Sequence, residues 1–564
     1  MDRTEIKIFI TFFLIYAFFV HWDGWREDDI FALVRAVVDD HTIKINKYGN
    51  YSGDITFYNG DYYSGKLPGQ AILAVPVYSS FKIFYYSLPS DFIDSNRGDN
   101  SVSRYRVKDL IGGYIDVSRA LNPGTFILLS MILVTMFTSS IFGAFSVVLM
   151  YKFSKFLNRN RVENLFFTLS FGLGTSIFHS SIVFFTNSSS IFFSLLGLYF
   201  LFKTKCTGNQ TKKIFLISGL LLGFSFVIDP LAIILIALSL TYCYFIVSNK
   251  KFLLIFLLGV FLISSINLVY YCMIFGSSSF ILYDENFYPV MLPISHSRLG
   301  DMRVWITWPQ PNRFFEKDFL PGLGYNILFA TVVPYNGLFY NYPIFSLSLL
   351  SIFLMYKKFK LESILLTVFM IPTLIFIGGV WSGNFFSSKW LAFFAPFMFL
   401  PYIFFIKKFG LKIAAVILIY SLAVNFITLQ EIVNPSYYGY PYTLYNSEFV
   451  KKIYTLDVNP LVDYYFPRFL QNGPRSKIFE GLISWKIPDI HYSEFNYNDI
   501  TVLYVYRDIK LITRFLCLVP LTFFILIIWR NEILNFIKSK IKWMNFKILL
   551  LLFIVTSLIL FVRF

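Results

Sequence analysis

Residues 252–275 carry the sequence FLLIFLLGVFLISSINLVYYCMIF, a run without a single charged side chain. A helix of about 20 apolar residues crosses the hydrocarbon core of a bilayer. The whole chain is 56% hydrophobic and only 15% charged, whereas soluble domains are about a quarter charged. The sequence therefore predicts an all-α polytopic membrane protein of about 13 transmembrane helices. The predicted spans are 6–22, 124–151, 163–180, 182–202, 214–229, 231–248, 252–275, 338–356, 362–380, 389–406, 411–429, 512–529 and 547–563.

The formal charge of +16 follows from topology rather than from a nucleic-acid partner. With the N-terminus inside, the predicted inner segments hold 23 of the 49 Lys and Arg residues but only 5 of the 33 Asp and Glu residues. Every short inner loop is then basic, as the positive-inside rule requires. We therefore expect a multi-pass protein of the cell (plasma) membrane with a cytoplasmic N-terminus, outward-facing long loops and no nucleic-acid partner.

The long loops divide the chain into three parts. A transmembrane module is expected over 1–430, with extracytoplasmic loops at 23–122 and 276–337. An outer loop segment follows at 431–511, and two C-terminal transmembrane helices complete the chain at 512–564. We expect the outer loops to form interfacial helices and small α+β segments.

The first outer loop contains three kinds of segment. Apolar positions at helical spacing predict a surface helix over 28–38, and the Gly, Asn, Asp and Tyr content of 40–65 predicts turns with short strands. Residues 69–88 are apolar, but they contain Pro76 and Lys82. We expect an interfacial re-entrant helix there, because counting it as a span would invert the charge rule for the rest of the chain.

The four cysteines and five histidines form no pattern typical of a metal site. The sequence contains no CxxC, HxxxH or HxH spacing, so neither zinc binding nor a disulfide framework is predicted. A glycine-rich phosphate loop is also absent, which argues against nucleotide chemistry on the inner face. No cofactor is therefore required, and a divalent metal remains an open alternative.

An acidic cluster follows the first predicted span directly. Residues 21–29 are His-Trp-Asp-Gly-Trp-Arg-Glu-Asp-Asp, with four carboxylates in seven positions. Like charges this close disfavour full ionisation, which favours a carboxylate that acts as a general base. The alternative is a solvated collar that caps the following helix.

A lysine stands at the start of the apolar segment 69–88. Residues 57–69 are FYNGDYYSGKLPG, so Lys66 precedes a Pro-Gly turn that opens a helix. A lysine beside the backbone donors of a helix start is a suitable ligand for a phosphate group. The alternative is a tight turn with a solvated lysine.

These segments resemble motifs of the GT-C superfamily, membrane glycosyltransferases that use polyprenyl-linked sugars. The similar branch contains the protein O-mannosyltransferases and the aminoarabinose transferase of lipid A. It has an acidic residue after the first helix, a Tyr-x-x-Lys-x-Pro-(Pro/Gly) element, a Gly-Leu-Phe-x-Tyr-x-Pro element, a Trp-x-Gly-x-x-x-x-x-Arg element and a Gly-rich helix ending Arg-Pro. The similar positions here are 27–29, 63–69, 334–343, 381–390 and 219–230. The resemblance covers most of residues 1–430, which it implies form a GT-C-like transmembrane catalytic module.

Two positions depart from that branch. Lys389 stands where an arginine is usual, which keeps the charge but loses the bidentate fork. Asp229 stands before Pro230 in place of arginine, where an aspartate suits an acceptor or a cation instead.

The resemblance implies an inverting transfer of a sugar from a polyprenyl phosphate to a hydroxyl of a lipid, glycan or protein at the outer face. It implies Asp28 as the general base, with Glu27 and Asp29 as near alternatives. The residues expected at the donor phosphate are Lys66, Lys389 and Arg298. The residues expected at the sugar or acceptor are Asp229, Tyr63, Tyr335 and Trp381.

Two other functions compete with this prediction. A lipid-linked glycan transporter or flippase predicts charges buried along a path and two pseudo-symmetric halves, and the sequence shows neither. A polysaccharide polymerase or ligase shares the topology and the lipid-phosphate donors, so the sequence leaves it open. An oligosaccharyltransferase-like enzyme is disfavoured, because no Trp-Trp-Asp-Tyr-Gly element is present.

Overall fold

A computed structural model of the chain describes residues 1–21, 25–48, 55–58, 60–90, 102–108, 114–120, 125–275, 288–290, 327, 331–332, 337–379, 389–428, 461–466, 469–470, 476 and 518–534. These residues form a mostly helical protein with a few short strands. Within the described residues, each predicted span up to residue 529 lies at least partly on a helix or on consecutive shorter helices. The last predicted span, 547–563, lies outside the described residues.

The described helices follow one another closely along the chain. The first five are α1 (Arg3–Phe18), α2 (Trp25–Asp39), α3 (Gly69–Tyr86), α4 (Thr125–Thr135) and α5 (Ile141–Leu157), and a π-helical segment (Met136–Ser140) joins the last two. The next six are α6 (Arg161–Gly174), α7 (Ile177–Ile182), α8 (Thr186–Thr207), α9 (Lys212–Ile228), α10 (Ala232–Ile246) and α11 (Lys251–Phe275). The later ones are α12 (Leu338–Asn341), α13 (Pro343–Leu350), α14 (Ile352–Tyr356), α15 (Lys360–Gly379), α16 (Lys389–Phe399), α17 (Tyr402–Phe409), α18 (Leu411–Thr428) and α19 (Leu518–Ile528).

Three of the described helical stretches are long and apolar enough to cross a membrane. They are Phe126–Leu157, Lys251–Ile274 and Leu411–Thr428. Some of the other predicted spans are interrupted and form shorter helices instead. Pro343 begins a new helix within 338–356, and Pro401 precedes another within 389–406, because proline cannot donate the backbone hydrogen bond that continues a helix. These helices indicate a membrane protein, with fewer long spans than the predicted thirteen.

The first outer loop contains the short strands that its composition predicts. Strand β1 (Ile55–Tyr58) pairs antiparallel with β2 (Asp61–Ser64), and Ile55 lies opposite Ser64. Gly60 at the tip has a φ of 89°, which favours glycine in a two-residue turn. Two further strands, β3 (Val102–Lys108) and β4 (Tyr114–Ala120), form a separate hairpin, and β5 (Tyr288–Val290) joins the other edge of β1. The predicted surface helix over 28–38 is α2, and the predicted helix at 69–88 is α3.

Helix α2 is more buried than a helix lying on a surface. Its residues 30–34 are each at most 4% exposed, and they share one apolar cluster with Tyr63, Ala74 of α3 and Tyr270 of α11. Burial of this face stabilises the pairing of the first outer loop with the helix bundle. Helix α2 is therefore part of the folded core.

Glycines bring α9 and α11 into close contact. A Cβ atom on Gly219 would lie 2.1 Å from the carbonyl oxygen of Phe256, and one on Gly223 would lie 2.3 Å from Cγ2 of Ile263. On the facing helix, a Cβ atom on Gly259 would lie 2.6 Å from the carbonyl oxygen of Leu216. Small residues at such spacing let helix backbones pack closely in a membrane.

We expect Gly219→Leu to lower the free energy of unfolding by about 3 kcal/mol, because the new side chain meets backbone atoms that cannot move independently. The midpoint of thermal unfolding of the purified protein in detergent measures this loss. Gly208→Asn is the matched control, since Gly208 has a φ of 71° and no atom within 4 Å of its Cβ position. Equal midpoints for Gly219→Leu and wild type would contradict the close helix contact.

Ion pairs join several helices at one end of the bundle. Glu5 on α1 lies 2.7 Å from the ammonium of Lys155 and 3.4 Å from that of Lys152, both near the end of α5. Lys7 pairs with Glu532 at 2.6 Å, beyond the end of α19. These contacts place the start of α1 beside the end of α5.

Helices α5 and α8 run in the same direction. The ring of Phe142 contacts that of Phe192, and the ring of Phe153 contacts that of Phe202. Lys205, in the last turn of α8, therefore lies at the same end of the bundle as the ion pairs of α1 and α5.

Candidate functional site

Asp29 joins α2 to the hairpin that precedes Lys66. Its side chain is fully buried, and the Ser64 hydroxyl donates a hydrogen bond to its Oδ2 at 3.0 Å. The same hydroxyl oxygen accepts the backbone N–H of Lys66 at 3.2 Å. The acidic start of α2 and the Lys66 loop are thus connected through the side chain of Ser64.

The hairpin is fixed in place by side chains of the preceding turn. The Asn46 amide donates to Asp61 Oδ1 at 2.7 Å, and its carbonyl accepts the N–H of Tyr62 at 2.7 Å. Lys44 pairs with Asp61 at 2.6 Å. The Lys44 ammonium and the Asn46 amide hold the pKa of Asp61 below its usual range. These contacts set the register that places Ser64 against Asp29.

Tyr63 belongs to strand β2 of the hairpin, and only 4% of its surface is exposed. Burial raises the pKa of its phenol above the ordinary value, and the nearby Asp61 carboxylate acts in the same direction. Tyr63 therefore stays protonated at neutral pH and retains its capacity to donate a hydrogen bond. It belongs to the same apolar cluster as Tyr270.

Gly69 brings the Lys66 loop against the end of α9. A Cβ atom at this position would lie 2.6 Å from the backbone nitrogen of Ile228 and 2.7 Å from its Cα. Only glycine allows this approach without movement of one backbone. Because Ile228 directly precedes Asp229, the contact brings the Lys66 loop close to the second predicted acidic position.

Asp229 is 4% exposed and terminates α9. Its Oδ2 accepts a hydrogen bond from the Thr186 hydroxyl at 2.8 Å, and its Oδ1 accepts the N–H of Leu231 at 3.0 Å. These bonds fix the turn between α9 and α10 to the start of α8. The aspartate therefore has a structural role in addition to the expected role at the sugar or acceptor.

Gln70 and the π-helical segment lie beside this site, and sequence reasoning missed both. Gln70 is fully buried, and its amide donates to the Thr138 hydroxyl at 3.3 Å. Its Oε1 has no hydrogen-bond partner among the residues described. Thr138 belongs to the segment Met136–Ser140, and π-helical turns often occur at functional sites. The one signal in the sequence was a glutamine inside an otherwise apolar stretch.

The structure places four of the ten predicted site residues on adjoining segments: Asp29, Tyr63, Lys66 and Asp229. Glu27 and Asp28 lie on the first turns of α2, and Lys389 is the first residue of α16. Arg298, Tyr335 and Trp381 lie outside the described residues. Within the part of the chain that the structure describes, no three His, Cys, Asp or Glu side chains are grouped as for a metal ion.

Helix α8 connects this site to the opposite end of the bundle. Thr186 at its start contacts Asp229, whereas Lys205 near its end lies 2.5 Å from Glu362 of α15. At 1.5 Å per residue, positions 186 and 205 are about 28 Å apart along the axis. This distance is close to the thickness of the hydrocarbon core of a bilayer, about 30 Å. The contact of Thr186 with Asp229 and the contact of Lys205 with Glu362 are therefore separated along α8 by about the thickness of a hydrocarbon core.

Comparison with known proteins adds no assignment. No protein-family model matches the chain, and no curated protein matches it significantly.

We expect Ser64→Ala to lower the free energy of unfolding by about 1 to 2 kcal/mol, because it removes a hydrogen bond to a buried carboxylate. Thermal unfolding of the purified protein measures the effect. Ser87→Ala is the matched control, since Ser87 is exposed and donates only to the Ile83 carbonyl at 2.8 Å. An unchanged midpoint for Ser64→Ala, together with an unchanged control, would contradict the contribution of the Ser64–Asp29 bond.

Proposed function

We propose that this protein is an integral membrane glycosyltransferase that moves a sugar from a polyprenyl phosphate to an acceptor hydroxyl on the outer face. One observation carries the proposal. The acidic start of α2, the Lys66 loop and the Asp229 turn meet at one end of the bundle, although up to 200 positions separate them in sequence. A carboxylate and a cation are the two groups that this transfer needs.

The proposed reaction is a single displacement. A carboxylate accepts the proton of the acceptor hydroxyl as its oxygen bonds to the anomeric carbon. The bond from that carbon to the phosphate oxygen breaks, and its electron pair leaves with the polyprenyl phosphate. Because attack and departure take place on opposite faces, the anomeric configuration inverts. The leaving phosphate needs no prior activation, so positioning and electrostatic stabilisation supply most of the catalysis.

The residues divide into three roles. Asp28 is the proposed general base, and Glu27 is the alternative on the same helix turn. Asp29 is assigned a positioning role. Its side chain is buried and hydrogen-bonded to Ser64, and this bond holds the start of α2 at the Lys66 loop. The proposed phosphate ligands are Lys66, Lys389 and Arg298. The proposed sugar or acceptor contacts are Asp229, Tyr63, Tyr335 and Trp381.

The proposal includes a membrane topology. We propose that the chain crosses the cell (plasma) membrane about thirteen times and begins with a cytoplasmic N-terminus, so that the site lies on the outer face. The length of α8 supports this arrangement. Thr186, which contacts Asp229 of the proposed site, lies at one end of the helix, and the basic residue Lys205 lies at the other end, about 28 Å away. Lysine at the inner end agrees with the positive-inside rule.

The test is an assay of sugar transfer with the purified full-length protein in lipid. Radiolabelled hexosyl and pentosyl polyprenyl phosphates serve as donors, and a lipid extract, glycans and hydroxyl-containing peptides serve as acceptors. The expected result is label in an acceptor together with an equal amount of free polyprenyl phosphate. Movement of intact donor between leaflets without bond cleavage would contradict the proposal and indicate a flippase. No transfer from these donors, together with transfer from a glycosyl polyprenyl diphosphate and release of polyprenyl diphosphate, would instead indicate a polymerase or ligase.

A further inference from the structure

A buried histidine connects three segments of the helix bundle. The Nδ1 atom of His179 on α7 lies 3.2 Å from the hydroxyl of Tyr342, between α12 and α13, and its Nε2 atom lies 2.9 Å from the hydroxyl of Thr428 on α18. The Tyr342 hydroxyl donates to Oδ1 of Asn425, also on α18, at 2.7 Å. Each of these four side chains is at most 7% exposed. We call them the His179 network.

The contacts of Asn425 determine which nitrogen of His179 carries the hydrogen. The Asn425 amide donates to the carbonyl of Leu173, at the end of α6, at 2.6 Å, so its oxygen is the atom that faces Tyr342. Because the Tyr342 hydroxyl gives its one hydrogen to Asn425, it accepts from Nδ1 of His179, and Nε2 of the neutral ring accepts from Thr428. The network is therefore directional, and loss of one hydroxyl leaves a buried partner unsatisfied.

Helix α7 lies between two of the segments that form the proposed site. The carbonyl of Ile182, at its end, accepts the backbone N–H of His21 at 2.7 Å, and His21 is the first residue of the acidic segment 21–29. Just beyond α7, the Thr186 hydroxyl donates to Asp229 at 2.8 Å. A helix of six residues is too short to be stable through its own hydrogen bonds. Its position, and with it the position of both acidic segments, depends on the side chains that hold α7.

We propose that the His179 network is a positioning element for the transfer reaction, because it fixes α7 against α6 and α18 and so holds the acidic segment and the Asp229 turn in one arrangement. His179 acts through α7 and does not contact the donor or the acceptor. This role rests on the proposed function. It gives a part in the reaction to four buried residues that the sequence motifs left without one.

A network that only stabilised the fold would behave differently. Its loss would lower the midpoint of thermal unfolding and leave the transfer rate of the folded protein unchanged. A positioning network instead predicts a lower kcat at saturating donor, because a displaced carboxylate reacts more slowly. The KM for the donor should stay near the wild-type value, since Lys66 is held by Ser64 and Gly69 rather than by α7.

The first experiment measures sugar transfer by full-length Thr428→Val in lipid. Valine has the shape of threonine but cannot donate to Nε2 of His179, and we expect a kcat about ten- to a hundred-fold below that of wild type. Thr428→Ser keeps the hydroxyl and is expected to restore the wild-type kcat. Ser421→Ala is the matched control, because Ser421 is also fully buried on α18 and its hydroxyl has no hydrogen-bond partner among the described residues. A kcat of Thr428→Val equal to that of Thr428→Ser would overturn the proposal.

A second measurement does not depend on transfer, so it separates a failure of this inference from a failure of the proposed function. Hydrogen–deuterium exchange of the full-length protein in lipid reports on the N–H of His21, which the Ile182 carbonyl protects. Thr428→Val is expected to raise its exchange rate at least about five-fold over that of Thr428→Ser and Ser421→Ala. Equal exchange in the three variants would overturn the inference whether or not wild type transfers sugar. Faster exchange in Thr428→Val, with no transfer by wild type, would support the hold of the network on α7 and contradict the proposed function instead.

Discussion

Asp28→Asn is expected to reduce sugar transfer by about 10²- to 10⁴-fold, the usual contribution of a general base. The substitution keeps the size of the side chain but removes its ability to accept the proton of the acceptor hydroxyl. Initial rates of polyprenyl phosphate release, measured with saturating donor, give the effect on kcat. Binding of donor is expected to change little, because the base acts on the acceptor.

Asp29→Asn provides the comparison that separates catalysis from positioning. An asparagine at this position still accepts the hydrogen bond from the Ser64 hydroxyl, so the start of α2 stays joined to the Lys66 loop. We expect a loss of only about ten-fold, since removing one charge alters the site without removing the base. The acidic limb of the pH profile should move to lower pH, because the base loses a like charge beside it. Asp40→Asn is the control for loss of a carboxylate charge away from the site, because Asp40 pairs with Lys47 on the protein surface. Full activity in Asn or Gln variants at 27, 28 and 29 alike would exclude the acidic cluster from the mechanism.

Gly69→Ala is expected to reduce transfer at least about a hundred-fold, because a displacement near 1 Å in a catalytic group has that cost. The added Cβ would lie 2.6 Å from the backbone nitrogen of Ile228, so the Lys66 loop must move away from the end of α9. Both kcat and the KM for donor are expected to change, since Lys66, the proposed phosphate ligand, moves relative to the carboxylates. Transfer rates over a range of donor concentrations separate the two.

Gly60→Asn is the control for this prediction. Gly60 is also in the first outer loop, but its Cβ position has no atom within 4 Å, and asparagine tolerates its φ of 89°. It should retain wild-type transfer. If Gly69→Ala were as active as Gly60→Asn, the loop would not depend on its contact with α9.

Much of the helical pattern could be predicted from the sequence, because length and hydrophobicity determine where a membrane helix forms. The predicted span 252–275 is α11, and the predicted re-entrant helix is α3. The positions of breaks were less predictable. Pro401 separates α16 from α17 within one apolar run, and hydropathy averaged over a window does not register a single residue without a backbone donor.

The candidate site was predictable in part. The order of the motifs indicated that Lys66, Asp229 and the acidic cluster face the same side, and the contacts of Ser64 and Gly69 are consistent with that prediction. The sequence could not choose among neighbouring acids, because only side-chain direction decides which one is buried. It also gave no reason to select Gln70, whose burial beside a π-helical turn depends on packing with α4 and α5.

The most direct measurement is a cryo-electron microscopy structure of the full-length protein in lipid with a non-transferable polyprenyl phosphate-sugar analogue. The account predicts density for the phosphate within hydrogen-bond distance of the Lys66 ammonium. It also predicts that the sugar lies between that phosphate and the start of α2, with a carboxylate of 27–29 facing its anomeric carbon. A donor bound at the opposite end of α8, or with Lys66 and the acidic residues far from it, would contradict the account.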